Sequence, residues 1–342
     1  MKKVFNLIVS FVLIAGFSSC SKDDSGNQQQ EPEYPSPTPV PSADYKGLAF
    51  ISSGNSTVCL AKVGTPDGIT LEYSTDESQW NPYTLGEKIS LADGTFLLFR
   101  AGEQKNLTFS KGSDSYYHFE ISGSISAQGN IMSLLNRDFS TPLSTNAFFA
   151  LFEGCTSLLS APELPATTMA QGCYFRMFAE CTGLKSAPKL PAEALAYNCY
   201  GRMFKGCSAL TYVPDLPATK MEAYCYNSMF ANCTSLKFAP ELPAERLESN
   251  CYQHMFEGCT SLTSAPELPA TELVSNCYEF MYKDCHNLRY VIGLFTTEPS
   301  EKTTKDWLSG VATSGTFIKS KKATWDVTGA HGIPEGWKIE TW

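Results

Sequence analysis

One stretch recurs along this chain with its spacing intact: Cys-Tyr-x-x-Met-Phe-x-x-Cys-x-x-Leu-x-x-Ala-Pro-x-Leu-Pro-Ala, first complete from Cys173 to Ala192. Its second cysteine stands at Cys155, Cys181, Cys207, Cys233, Cys259 and Cys285, always 26 residues apart, and its first at Cys173, Cys199, Cys225, Cys251 and Cys277. A fixed period of this size forces a stack, because one unit cannot bury its apolar side except against its neighbour. Identical residues then lie over one another in columns. Tyrosine (Tyr174, Tyr200, Tyr226, Tyr252, Tyr278), methionine (Met177, Met203, Met229, Met255, Met281) and leucine (Leu158, Leu184, Leu210, Leu236, Leu262, Leu288) each form one. Stripes this regular are core rather than cofactor contacts.

Within a unit, Cys173, Met177, Phe178 and Cys181 fall at i, i+4, i+5 and i+8, the pattern of one face of a short helix. Leu184 and Ala187 follow as the inward positions of a short strand, and Pro188 and Pro191, lacking N–H groups, confine the parallel ladder to a few residues. The fold class expected is therefore an α+β repeat solenoid, with about six 26-residue units. At about 4.8 Å per stacked strand such a block is roughly 25–30 Å long. The solenoid with its leading cap is placed at 123–295. Gly129 to Leu135 reads as a strand of that cap, and the first unit is degenerate, with Ala147-Phe148-Phe149-Ala150-Leu151-Phe152 where later units carry Cys-Tyr-x-x-Met-Phe. The pattern fades through Tyr290-Val291-Ile292, and 296–342, with Trp307, Trp325 and Trp337, reads as a C-terminal cap.

Thirteen cysteines invite a disulfide or metal framework, but eleven of them belong to the repeat. Partners eight or eighteen residues apart, without histidine, do not fit a metal site. Residues eight apart on a helix lie about 12 Å from each other, beyond bridging distance. Pairing of Cys181 with Cys199, and its equivalents, stays open at this level. Free thiols filling a dry column fit the period more simply, and Cys59 reads as buried too.

The remainder divides into three. Met1 to Phe17 carries two lysines and an apolar run too short to span a bilayer, and Phe17-Ser18-Ser19-Cys20 ends in small residues ahead of a cysteine. Residues 1–20 are thus expected to be a lipoprotein signal peptide, with lipid on Cys20 and attachment to a membrane through that lipid alone. Residues 21–43, rich in Gln, Ser, Glu and Pro, read as a disordered tether. Residues 44–122 read as a small all-β domain, an immunoglobulin-like sandwich, from runs such as Ile69–Tyr73 and Thr95–Arg100 between turn clusters. Trp80 and Tyr83 in it offer a sugar-stacking platform, or else plug the core.

Catalytic groupings are missing from the sequence. His118, His254, His286 and His331 are scattered, and the acidic column Glu163, Asp215, Glu241 and Glu267 is broken by Lys189 and reads as a solvated face. No enzyme, cofactor or metal is expected. A formal net charge of -9 without a Lys/Arg-rich stripe argues against nucleic acid. What varies within the frame is more informative. Between the column leucine and alanine, Lys185, Tyr212, Lys237, Phe238, Arg289 and Tyr290 would form an aromatic and basic patch suited to a protein or a glycan.

The Met-Phe-x-x-Cys-x-x-Leu core, as in Met255 to Leu262, resembles the leucine-rich repeats of BspA-like surface proteins and related 26-residue repeats of Bacteroides-type surface lipoproteins. The resemblance covers roughly Phe148 to Val291. Ser21-Lys22-Asp23-Asp24 likewise resembles the acidic tag that sends such lipoproteins to the outer face of the outer membrane. This sequence departs from the family in Ala265-Pro266-Glu267-Leu268-Pro269, where typical members carry Ile-rich strands. The resemblance implies an outer-membrane lipoprotein facing the cell exterior, with a leucine-rich-repeat-like solenoid that binds an extracellular macromolecule in adhesion. Two alternatives stand beside it: glycan capture for nutrient uptake through the β domain, and a structural spacer.

Overall fold

The computed structural model describes residues 41–103 and 107–342. Nine strands make up the N-terminal part: β1 (Leu48–Ser52), β2 (Ser56–Val63), β3 (Leu71–Ser74), β4 (Asn81–Pro82), β5 (Ile89–Leu91), β6 (Phe96–Ala101), β7 (Ser110–Gly112), β8 (Ser115–Ser122) and β9 (Ile125–Gln128). They pair antiparallel in two sheets, ordered β9-β1-β6-β3-β4 and β5-β2-β8-β7, in a sandwich-like arrangement. Inward residues of both sheets meet in aromatic contacts, with Phe50 edge-on to Phe99 at 6.0 Å and to Phe119 at 5.0 Å. Five more strands follow: β10 (Leu158–Ser160), β11 (Ser264–Leu268), β12 (Tyr290–Gly293), β13 (Thr316–Lys319) and β14 (Lys338–Thr341). The first of these pairs parallel with β9, so the leading coil of the solenoid extends a sandwich sheet. The other four form a parallel sheet ordered β11-β12-β13-β14.

The chain is strands and turns, and this corrects the α+β expectation. Among the described residues the one helix is a 3-10 turn, Ile131–Leu134. It replaces the strand expected over Gly129 to Leu135. Gly129 turns the backbone at φ 72, where a Cβ would collide with the Gly47 carbonyl, and the Asn130 side chain then accepts the Met132 N–H at 2.9 Å. That cap starts a turn and ends the strand.

The helix expected at Cys173 to Cys181 is absent as well. In its place runs a spiral of overlapping β-turns. Every second N–H closes a local turn: Cys173 onto Ala170, Phe175 onto Gly172, Met177 onto Tyr174, Ala179 onto Arg176, Cys181 onto Phe178, at 3.0–3.2 Å. The intervening N–H groups reach the next coil, from Tyr174, Arg176, Phe178 and Glu180 to the carbonyls of Cys199, Gly201, Met203 and Lys205, at 2.7–3.1 Å. Each donor is thereby satisfied without a helix. Every second turn needs a left-handed residue at its third position, and Gly172, Arg176 and Glu180 supply it at φ 58, 57 and 60. The same three places recur as Asn198, Arg202 and Gly206, and as Asn250, His254 and Gly258.

Two aromatic ladders run through the stack. Phe152, Phe178, Phe204, Phe230, Phe256 and Tyr282 lie face to face at 5.3–5.7 Å. Tyr174 to Tyr278 do the same at 5.8–6.0 Å. Offset stacking of this kind adds about 0.5–1.5 kcal/mol per pair beyond area burial. The phenylalanine ladder ends on Phe119 of β8, stacked on Phe152 at 5.2 Å, and one continuous core joins Leu48 to Trp337.

Proline decides where a regular ladder forms. In coils with Ala-Pro, contact between neighbours is reduced to single bridges such as Ser186 to Tyr212, and Pro266 shifts the register of β11 against β12. Val291 and Ile292 take the Ala-Pro places in the next coil, and from there Tyr290 to Gly293 pair residue by residue with Thr316 to Lys319. The segment from 296 onward therefore continues the stack. Its Thr303, Lys305, Trp307 and Ser309 carbonyls accept the N–H groups of Tyr278, Phe280, Tyr282 and Asp284 although the repeat sequence has ended.

Candidate binding surface

On the strand side of each coil the column leucine and alanine point inward, and Leu184, Leu210, Leu236, Leu262 and Leu288 are buried throughout. The two residues between them face out, being exposed in each of these coils except at Ser264, which is half-buried. The bridges Ser186 to Tyr212, Phe238 to Ser264 and the strand pairs Ser264 to Tyr290 and Tyr290 to Thr316 set this outer row in register. Three of its members are large and aromatic, and they stand in water: Tyr212 is 62%, Phe238 70% and Tyr290 39% exposed. The preceding row carries Lys185, Lys237 and Arg289, all exposed, and none of the three enters an ion pair among the described residues. All six residues singled out in the sequence thus lie on one face, in two adjacent rows.

No known protein family, curated protein or solved structure matches the chain. The assignment of this face rests on its own geometry.

Trp80 and Tyr83 do not form a shared platform. Trp80 packs outside the sandwich beside Tyr45, with the Arg100 guanidinium 3.7 Å above its ring and its indole N–H on the Glu77 carbonyl. Tyr83 packs into the main core, edge-on to Phe99, and its hydroxyl accepts the Leu60 N–H and donates to the Glu87 carbonyl. Both rings are occupied by the protein itself.

The twelve described cysteines are free and buried. The second column has a defined partner: Cys181, Cys207, Cys233, Cys259 and Cys285 each donate S–H to the carbonyl of the ladder aromatic one coil back, at 3.0–3.1 Å. Burial pushes these thiols up, to about 12 for Cys155, Cys173, Cys225, Cys259 and Cys277. A thiol held protonated at neutral pH is a poor nucleophile and metal ligand. Among the described residues no group of His, Cys, Asp and Glu is placed to hold a metal ion. His254 is taken up by Glu257 at 2.7 Å and His286 by the Gly310 carbonyl at 2.7 Å. Glu163, Asp215 and Glu241 are exposed.

Cys20, the signal peptide and residues 21–40 of the expected tether lie outside the described residues, while the Ser42 hydroxyl near the tether's end donates to Glu77 at 2.5 Å. Within the described ones no helix is long and apolar enough to cross a membrane. Sequence reasoning passed over the turn side, where Arg202, Tyr197 and Tyr224 line a concave site together with Phe175 and Asn198, the two side chains that close over Gly201. The signal was a glycine in a column of larger residues, Phe175, Asn227, Gln253 and Glu279.

Proposed function

We propose that the chain is a cell-surface binding protein, non-catalytic, that engages an extracellular macromolecule in adhesion through the strand face of a leucine-rich-repeat-like solenoid. The observation that carries this is the row Tyr212, Phe238 and Tyr290, three large aromatic side chains exposed in register on a rigid frame. Aromatic residues beside arginine are what protein interfaces concentrate at their centres, and a monomer gains nothing by exposing them. Lys185, Lys237 and Arg289 add a positive rim to a chain of net charge -9, which favours a ligand with acidic groups near its contact surface. The proposal includes lipid attachment at Cys20 and display from the outer membrane, after the resemblance to BspA-like surface proteins. The occupied rings of Trp80 and Tyr83 give no support to sugar capture by the β domain.

The test is a binding screen of the soluble chain against arrays of matrix proteins, repeated with the Tyr212→Ser/Phe238→Ser variant. Both side chains are exposed, so the variant should unfold at the same urea concentration as the parent. Loss of about 2 kcal/mol of affinity per anchor is expected. Equal binding by parent and variant would refute the assignment of this face.

A further inference from the structure

On the turn side one column, the first left-handed position, is kept closely, and its single bulky departure stands beside another large ring. The first left-handed position of each coil is Asn146, Gly172, Asn198, Asn250 or Asn276, residues that tolerate that conformation. In the remaining coil it is Tyr224, at φ 60. A bulky side chain held there costs about 1–3 kcal/mol, and such strain collects at functional sites. The fold does not demand it, since asparagine does the same backbone work in the next coil. Tyr224 meets Tyr197 edge-on at 5.7 Å, and Tyr197 is itself 45% exposed in a column otherwise holding Thr145, Gln171, Ala223, Ser249 and Ser275.

Because position 201 is glycine, the Asn198 side chain and the Phe175 ring close in on the space a Cβ would fill, and Phe175 and Asn198 form part of the wall of a notch beside the two tyrosines. This concave site of about 440 Å³ is lined by Phe175, Tyr197, Tyr224, Arg202, Lys205 and Asn227, with other polar side chains beyond. Its amides are already aligned: Asn227 donates to Gln253 at 2.8 Å, and Gln253 to Glu279 at 2.5 Å. Its charges are unequal in availability. Glu257 on the far wall is taken by His254 at 2.7 Å and Lys283 at 3.9 Å, whereas neither Arg202 nor Lys205 enters an ion pair among the described residues. Arg202 is held over the Phe175 ring at 5.9 Å with its guanidinium edge free.

We propose that this notch binds a sugar residue bearing a carboxylate or a sulfate ester. Tyr197, 45% exposed, offers a flat apolar surface on which a pyranose ring lays its C–H face, with the half-buried Tyr224 edge-on beside it. Asn198, half-buried at the edge of the notch, suits its hydroxyls, and Arg202 with Lys205 suits its anionic group, since a guanidinium meets either oxyanion with two parallel N–H bonds. The net charge of -9 repels long polyanions, so the ligand is an isolated acidic sugar within a glycan rather than a continuous acid polymer. The site shares no residue with the strand-face rows, and either can fail without the other.

The experiment is calorimetric and saturation-transfer titration of the whole chain with three probes: a galacturonate trisaccharide, a sulfated galactose oligosaccharide and its uncharged counterpart. At least one acidic probe should bind, with the uncharged one weaker by about tenfold or more. Tyr197→Ser and Arg202→Ser should each weaken the acidic probe by about tenfold, whereas Tyr212→Ser/Phe238→Ser should leave it unchanged. The two acidic probes decide between carboxylate and sulfate. Absence of binding by both, equal binding of the uncharged probe, or unchanged affinity in both notch variants overturns the proposal.

Discussion

Glycine at position 180 should stabilise this protein, and the sign of that effect tests the turn spiral directly. Glu180 sits at φ 60, and the equivalent positions in other coils hold Gly154, Gly206 and Gly258. Its side chain is exposed and lies over Gly206 without a hydrogen bond or ion pair of its own, so truncation removes little contact. An L-residue in the left-handed region costs about 1–2 kcal/mol that glycine does not incur. Against this, glycine loosens the unfolded chain by about 0.4–1 kcal/mol. The balance for Glu180→Gly is a gain of about 0.5–1 kcal/mol. Alanine bears the same backbone cost as glutamate, so Glu180→Ala should stay within a few tenths of a kcal/mol of the parent. A helix over Cys173 to Cys181 reverses the order, because there alanine is best and glycine is worse by about 1 kcal/mol. Urea unfolding of the three proteins, compared at equal slope, reads the order from the midpoints. A glycine variant less stable than the alanine variant would falsify the turn spiral.

Three further outcomes follow from the core. The hydroxyl of Tyr200 is buried with no hydrogen-bond partner, so Tyr200→Phe should raise stability by about 1 kcal/mol in urea; a loss instead would reveal a partner such as an internal water. Phe204 lies between Phe178 at 5.5 Å and Phe230 at 5.7 Å, and Phe204→Ala should cost about 3–5 kcal/mol by the same assay, a cost below 1 kcal/mol arguing against a continuous ladder. Thiols such as Cys155, Cys173 and Cys259, pushed up to about 12 in the fold, ionise near 8.5 in an unfolded chain, so the unfolded state sheds protons first as pH rises. Stability should be whole below about pH 8.5 and then fall toward pH 12 by roughly 1.4 kcal/mol per thiol per pH unit, so a urea midpoint in reductant that stays flat to about pH 9.5 would contradict the burial of the columns.

How much of this was legible in the sequence depends on which bonds fix each feature. Cys199, Met203 and Leu210 could be placed inside because side-chain burial selects residue type, and all are buried. The turn spiral was missed because Cys173, Met177 and Cys181, four apart, suit two backbones at once. A turn spiral repeats every four residues, while a helix at 3.6 residues per turn drifts only about 80° over eight. The distinguishing mark lay in other columns. Asn198 with Gly206, and Asn250 with Gly258, place left-handed residues at multiples of four, a pattern a helix interior penalises. The coil holding Thr303 and Trp307 left no mark at all, since its contacts to Tyr278 and Tyr282 are made by backbone groups that any residue carries.

The same distinction separates frame from function. In a stack, a residue that matches its column is accounted for by the fold, because its neighbours above and below solve the same packing problem. One that departs from its column has no such account, and more so if it is strained or exposed. Tyr212, Phe238 and Tyr290 in a row where Ser160, Ser186 and Ser264 serve the fold as well, and Tyr224 in a column of asparagine and glycine, all stand in the direction the fold disfavours. Phe238 costs solvation and Tyr224 costs backbone strain, and neither cost is recovered by a contact within the core. In a repeat protein the columns therefore serve as an internal reference, and the residues that break them at an energetic loss are the ones to mutate first.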